Sequence, residues 1–317
     1  HTGTNFSLES VHQGVNVAAH QNKINELKTW LEDLVWDGTP RLDSWLVRYC
    51  GALDNKITRN IGAWFLMSCA ARGLEPGVQA DHVLCMEGKQ GVGKSSLIRI
   101  LAGDWYCPTM PDLRRADAAM GLQGTWICEI GELDAFRGVA VSRIKDFITQ
   151  RLDTYRRPYA RTHAKRPRTT VFIASTNTEE YLEDETGGRR FWPVKVHQID
   201  LEAIRADREQ LFAEAVDRVK NGERWHPTNE EVGELSELQE QRQIQDPWFT
   251  TIQEICEMQS FVTTPGIARR LGFDTREIER KHNTRIVQCL VKLGFEPCRQ
   301  RVNGQRVRGY KKKVDND

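Results

Sequence analysis

The sequence predicts an α/β protein in which a parallel sheet flanked by helices is preceded by a helical module and followed by a winged helix-turn-helix. Three observations carry this expectation. Apolar runs at 83–86, 125–130 and 170–174 read as buried strands. The first leads through Gly88-Lys89-Gln90-Gly91-Val92-Gly93-Lys94-Ser95 into a helical segment. That is G-x-x-x-x-G-K-S in the strand–loop–helix setting the pattern requires. Past Asp246-Pro247 the chain switches to three short helices and a hairpin with an Asn-Gly centre.

In chain order, residues 1–22 are polar and aperiodic and are expected to be flexible. Residues 23–78 form the helical module: Ile24, Leu27, Trp30, Leu31 and Leu34, then Leu42, Trp45, Leu46 and Tyr49, then Ile61, Trp64, Phe65 and Met67 recur at helical spacing. Asp37-Gly38-Thr39-Pro40 supplies the turn between its first two helices. Residues 79–245 are the expected nucleotide-binding core with its lid helices. Within it, 104–117 reads as loop, 125–133 as a strand ending in acids, 140–151 as helix, and 154–168 as an extended hairpin or loop. A buried strand at 170–177, an amphipathic helix at 201–221 and an acidic connecting helix at 230–245 complete it. Residues 246–317 form the winged domain, with helices at 251–258 and 265–271. Capping-box spacing at Asp274 and Glu277 precedes a third helix with Ile278, Ile286, Leu290 and Leu293 on one face.

The 45 basic and 44 acidic residues nearly cancel, so total charge points to no partner. The distribution is more informative: 14 Lys and Arg against 8 Asp and Glu from 248 onward, and 8 against 2 between 145 and 168. Two basic zones on a slightly acidic body fit two surfaces that face polyanions. Eight scattered cysteines, none spaced C-x-x-C, fit small core residues of a reduced cytoplasmic protein. No apolar stretch reaches the ~18 residues of a membrane span, and no signal peptide opens the chain. The first residue is His, so the chain is read as a fragment or as carrying a tag remnant.

The chemistry centres on Gly88, Gln90, Gly91, Val92, Gly93, Lys94, Ser95 and Ser96. The glycines let successive N–H groups turn inward toward phosphate oxygens, and the following helix adds its positive end. Lys94 would reach the β- and γ-phosphates of ATP, and the Ser95 hydroxyl would sit on Mg²⁺. Hydrolysis also needs an acid for the metal and the attacking water, and Glu132, just past the apolar part of its strand, is the first candidate, with Glu129 second. Strand alternation points these two to opposite faces unless Gly131 permits a bulge. Asn177, at the tip of a central strand, could bond the γ-phosphate and orient water. Arg189 and Arg190 follow a Gly-Gly dipeptide and precede apolar anchors, which suits a finger reaching a neighbouring subunit's nucleotide.

The ordered set W-I-x-E-x-x-E-L-D (126–134), K-x-F-I (145–148), R-R-P-Y (156–159), S-T-N (175–177) and E-T-G-x-R-R-F-W-P (185–193) resembles the virulence-associated protein E family. So does Trp36-Asp37-Gly38-Thr39-Pro40-Arg41-Leu42. These are ATPases of phages and mobile islands, related to superfamily-3 replicative helicases and phage primase–helicases, and the likeness runs from about Trp30 to about Trp248. The resemblance implies an AAA+ core, hexamers, and ATP bound between subunits. It makes Glu132 the Walker B acid, Asn177 sensor 1, and Arg189 or Arg190 the arginine finger. It also implies a hairpin near 152–168 that grips single-stranded DNA, through Arg156, Arg157, Arg161, His163 and Lys165. Lys145 matches a family lysine and is grouped with these DNA-facing cations.

In the winged domain Arg276, Arg280, Lys281 and Arg285 fall on the third helix, with Arg299, Arg301, Arg306, Arg308 and Lys311 to Lys313 in the wing. A helix for the major groove and a cationic wing for phosphate would dock duplex DNA. The resulting expectation is an ATP-driven, hexameric DNA helicase for replication of a phage or mobile element, in the cytoplasm of a bacterial host. Any primase would lie upstream of His1 or in a partner. The alternative is an ATP-dependent switch that assembles on DNA, as initiator, loader or phage-defence factor, without processive unwinding.

Overall fold

The computed structural model describes residues 7–8, 10–11, 14–15, 25–115, 117–131, 141–156, 162–178, 181, 190–242, 246–257, 259–274, 279–302 and 304–312. They belong to two compact units, 1–243 and 244–317.

The first unit opens with α1 (Glu26–Asp33), α2 (Trp45–Cys50) and α3 (Lys56–Leu74). The side chains of Asn25 and Asn55 cap α1 and α3 by accepting from Lys28 N and Thr58 N. β1 (Val83–Glu87), α4 (Lys94–Ala102), β2 (Tyr106–Cys107), β3 (Ile127–Gly131) and α5 (Val141–Ile148) follow. Then come β4 (Leu152–Arg156), β5 (His163–Pro167), β6 (Val171–Thr176), β7 (Phe191–Lys195), α6 (Leu201–Lys220) and α7 (Asn229–Glu240). α7 starts in the capping box that Thr228 and Glu231 form.

Five strands make one parallel sheet in the order β2-β3-β6-β1-β7. β2, two residues long inside the segment expected to be loop, is too short to leave a periodic signal. β7 tolerates Pro193 because it is an edge strand. One face of the sheet, with Leu84, Met86, Ile127 and Ile173, packs with Leu31, Trp45, Phe65, Leu97 and Phe212 of the helices into a single core. The other face packs Cys85, Cys128 and Phe172 with Phe147 of α5 and Leu122. The helices expected to form a separate module at 23–78 thus share the sheet's core, and α3 is buried on nearly every side.

The Trp36–Leu42 stretch earns its place by bracing α2 to α6. Glu214 of α6, fully buried, accepts from the backbone N–H of Arg41 at 2.6 Å and of Leu42 at 2.9 Å, and pairs with Arg218 at 2.8 Å. Arg41 in turn donates to both carboxylate oxygens of Asp37 at 2.8 Å, holding that carboxyl well below the usual range. Among the described residues, no helix is long and apolar enough to cross a membrane.

The second unit contains α8 (Phe249–Glu257), β8 (Phe261–Val262), α9 (Thr264–Arg270), α10 (Arg280–Lys292), β9 (Phe295–Val302) and β10 (Gln305–Lys312). Its sheet is antiparallel in the order β8-β10-β9, and Ile252, Ile267, Ile286, Leu290 and Phe295 form a core of its own. The pairing of Gln305 with Val302 leaves a two-residue turn, with Gly304 at φ 79°. α10 begins at Arg280, and Glu277 of the capping box expected before it, with Ile278, lies outside the described residues. The Glu279 N–H donates to His282 Nδ1 at 3.3 Å and caps the helix there.

Candidate functional site

β1 ends at Glu87, and the chain turns through residues 88–93 into α4. Gly91 and Gly93 take φ of 84° and 100°, values that β-carbon-bearing residues rarely adopt. Gly88 is required for a different reason: a Cβ there would lie 2.6 Å from the Val196 carbonyl oxygen, on the strand-end segment that follows β7. Gln90, Val92 and Ser96 belong to the same turn and first helical residues, partly or fully exposed. Beneath the turn, buried Glu87 accepts from Arg242 at 2.9 and 3.0 Å and from the Tyr181 hydroxyl at 2.9 Å. These bonds fix the end of β1.

Lys94 opens α4 with an 8% exposed side chain whose ammonium donates to the carbonyls of Gly88 (2.5 Å) and Lys89 (2.9 Å) and to Asn177 Oδ1 (3.0 Å). Burial lowers its pKa, and the Glu129 carboxylate opposes that shift. Asn177 follows β6, the strand between β1 and β3, so the order of the sheet brings it to Lys94. Ser95 Oγ donates to Glu129 Oε1 at 2.6 Å. Glu129, 4% exposed on β3, also accepts from Ser175 Oγ at 3.0 Å and, on its other oxygen, from the Tyr106 hydroxyl. Burial first, and this bond second, raise the Tyr106 pKa, so the phenol stays a donor. Tyr106 and Ser175 are site residues that motif spacing did not reveal. Tyr106 is an isolated tyrosine in the sequence, and Ser175, though part of the S-T-N run, carries no spacing that ties it to Glu129.

Of the two acids weighed for this site, Glu129 therefore meets the loop, while Glu132 lies outside the described residues. Arg189 does too. Arg190 immediately precedes β7, whose register pairs Phe191 with Val83 and Lys195 with Glu87. It stands at the opposite end of the sheet from the loop, about 16 Å away at 3.3 Å per residue. That exceeds the reach of an arginine side chain.

β4 and β5 form an antiparallel hairpin with Arg156 opposite His163 and Thr154 opposite Lys165. Alternation puts Arg156, His163 and Lys165 on one exposed face, and buries Asp153 and Tyr155 on the other. Arg157 and Arg161, between these strands in sequence, lie outside the described residues. At the root, fully buried Arg168 donates to Asp153 Oδ1 through two nitrogens (2.8 and 2.5 Å) and to Gln150 Oε1 at 3.2 Å. Its guanidinium carbon lies 4.5 Å from the centre of the Phe147 ring. Lys145 leaves the expected DNA-facing set: on α5 it is only 7% exposed, and it has an interaction partner.

In the second unit Arg280, Arg299, Arg301, Arg306 and Arg308 are exposed. Arg285 is a second correction. It donates to both oxygens of Asp246 at 2.8 Å, with its guanidinium 3.7 Å from the Trp248 ring centre, so it is a strut within the unit. Arg276 and the side chain of Lys281 lie outside the described residues.

Two serine hydroxyls, one lysine and one carboxylate beside a parallel sheet can hold an anion and a hard divalent cation. The profile of the Virulence-associated protein E-like domain family matches residues 31–244. No curated protein gives a significant match. Among solved structures, the A form of the apo NrS-1 C-terminal region aligns with a TM-score of 0.51 at 14% identity, over 90% of this chain and 78% of that one. A second structure of that region gives 0.50 at 15% identity over the same shares. At such identities the likeness is one of fold.

Proposed function

The chain belongs to the virulence-associated protein E-like family, and from that premise we propose that it is an ATP-driven motor of the AAA+ type acting on DNA in replication of a phage or mobile element. The observation that carries this reading is the meeting of Lys94, Ser95, Glu129 and Asn177 at the C-terminal edges of three adjacent strands. In it, residues 88–95 are the phosphate loop. Lys94 neutralises the β- and γ-phosphates, and Asn177 orients the γ-phosphate and the attacking water.

The donor set fits Mg²⁺: a serine hydroxyl and a carboxylate already in contact, hard oxygen ligands that leave positions for phosphate and water. When bound, the ion would supply charge neutralisation across the phosphates. Ser95 and Glu129 would hold it. A carboxylate engaged by three hydroxyls is poorly placed to take a proton from water, so the base role passes to Glu132. Because Arg190 stands at the far end of the sheet from its own loop, an arginine from the next copy would complete each site, which supports a homo-oligomeric ring, most simply a hexamer. The exposed hairpin face of Arg156, His163 and Lys165 would track single-stranded DNA in that ring. The second unit would act as a winged helix that docks duplex.

The test is ATP hydrolysis and forked-duplex unwinding by wild type, Lys94→Ala and Arg189→Ala/Arg190→Ala proteins. The expected result is DNA-stimulated hydrolysis and strand separation by wild type alone, with partial recovery of hydrolysis when the two variants are mixed. Hydrolysis without strand separation would favour a DNA-assembling switch. Wild-type activity in the Lys94 variant would refute the nucleotide site.

A further inference from the structure

Resting on the reading of the second unit as a duplex-docking module, we propose that its grip lies in the β9–β10 hairpin rather than in α10, so that it clamps duplex DNA by the phosphate backbone irrespective of sequence. The register of the hairpin sets Arg301 directly opposite Arg306, and Arg299 directly opposite Arg308. Alternation then puts all four guanidinium groups on one face. All four residues are exposed, and among the described residues none of them makes an ion pair. Successive pairs are about 6.8 Å apart along the strands, at 3.4 Å per residue. Like charges directly opposite each other across a sheet are destabilising. The unbound hairpin therefore carries a repulsion that a row of phosphates would relieve.

α10 is equipped differently. Arg285 is held by Asp246 and Trp248, and His282 stacks on Phe273 with ring centres 4.7 Å apart. The side-chain oxygen of Asn283 is turned into the protein, where it has no hydrogen-bond partner. Ile286 and Leu290 face the core. The outward stripe that remains, Arg280, Thr284 and Gln288, offers one described cation, and the Thr284 hydroxyl is donated to the Arg280 carbonyl. Bidentate base recognition by Arg, Asn or Gln has few candidates there. Four guanidinium groups on one face of the hairpin against Arg280 alone on that stripe of the helix assign the affinity to the hairpin.

The experiment is fluorescence anisotropy of the full chain on two unrelated duplexes of about 25 base pairs, from 50 to 200 mM salt. Wild type should bind both equally, with a steep salt dependence. Replacing Arg299, Arg301, Arg306 and Arg308 with Gln should reduce the slope of log affinity against log salt by about 3.6, at 0.9 per phosphate contact, and weaken binding at least 100-fold at low salt. The thermal midpoint of that variant should stay equal or rise, because cross-strand repulsion is removed. Arg280→Gln should lower the slope by about 1 at most. Unchanged binding in the quadruple variant, with loss in Arg280→Gln or Gln288→Ala, would overturn the hairpin proposal and leave duplex docking standing. Wild-type preference for one sequence by 100-fold would overturn it too. Absence of duplex binding by wild type at every salt, or binding to anionic-lipid vesicles only, would remove the duplex reading itself.

Discussion

Removing Arg168 from the root of the β4–β5 hairpin is the most quantitative perturbation the structure offers. The side chain is fully buried, its partner Asp153 is 2% exposed, and two bonds of 2.8 and 2.5 Å join them. Arg168→Met leaves a carboxylate in the interior with no cation, and Asp153→Leu leaves the guanidinium with no anion. Breaking a buried pair in this way costs about 3–5 kcal/mol. Changing both together replaces the pair with apolar side chains and should cost no more than about 1 kcal/mol, giving a coupling energy well above 3 kcal/mol. Urea denaturation followed by tryptophan fluorescence is a suitable assay, since every tryptophan but Trp248 lies in the first unit. The single variants should also lose stimulation of hydrolysis by single-stranded DNA before they lose nucleotide binding, because the hairpin stands on this pair. Single variants that cost less than about 1 kcal/mol, or a double variant as unstable as the two singles summed, would refute the assignment of Arg168 as the hairpin's anchor.

Three other outcomes are expected. Tyr106→Phe deletes one donor to Glu129 and should raise the Mg²⁺ concentration for half-maximal hydrolysis about 5- to 30-fold, with little change in the KM for ATP; a parallel shift in both would indicate a packing role only. Gly88→Ala forces a methyl to within 2.6 Å of the Val196 carbonyl, so nucleotide affinity should fall and stability drop by about 1–3 kcal/mol, read by nucleotide titration and thermal melting. Glu231 is held down to about 2 from 4.5, first by the Arg224 hydrogen bond. Its folded-state pKa is depressed, so its stabilisation is fully present above pH 4.5 and disappears as pH falls toward 2. Melting temperatures of wild type and Glu231→Gln should therefore differ at neutral pH and converge toward that acid limit; a gap that widens on acidification would contradict the pairing.

The glycine pattern at 88–93 dictates its own backbone, and so the loop, Lys94 and Ser95 were readable from spacing. Asn177 was readable because a polar residue ending an apolar strand has few other uses. The choice between Glu129 and Glu132 was not. Residues 127–130 of β3 are all buried, so alternation gives no solvent face from which to tell where an acid points. The contacts of Tyr106 and Ser175 depend on strand order, with β6 inserted between β1 and β3, and local sequence does not encode that order. Lys145 and Arg285 misled for the converse reason. A cation in a basic stretch looks solvent-facing until tertiary partners such as Asp246 and Trp248 claim it. The shared core of α1–α3 and the sheet was hidden because helical periodicity reports that a face is covered, not by what.

Among the described residues, Ile252, Ile286 and Phe295 belong to a core cluster made of second-unit residues, and none of them is a member of either cluster around the parallel sheet. A unit with an interior of its own can be exchanged as a cassette in evolution, with no compensating mutation needed in the interior of the first unit. Relatives that share the matched stretch and diverge completely after it would be the natural mark of such exchange.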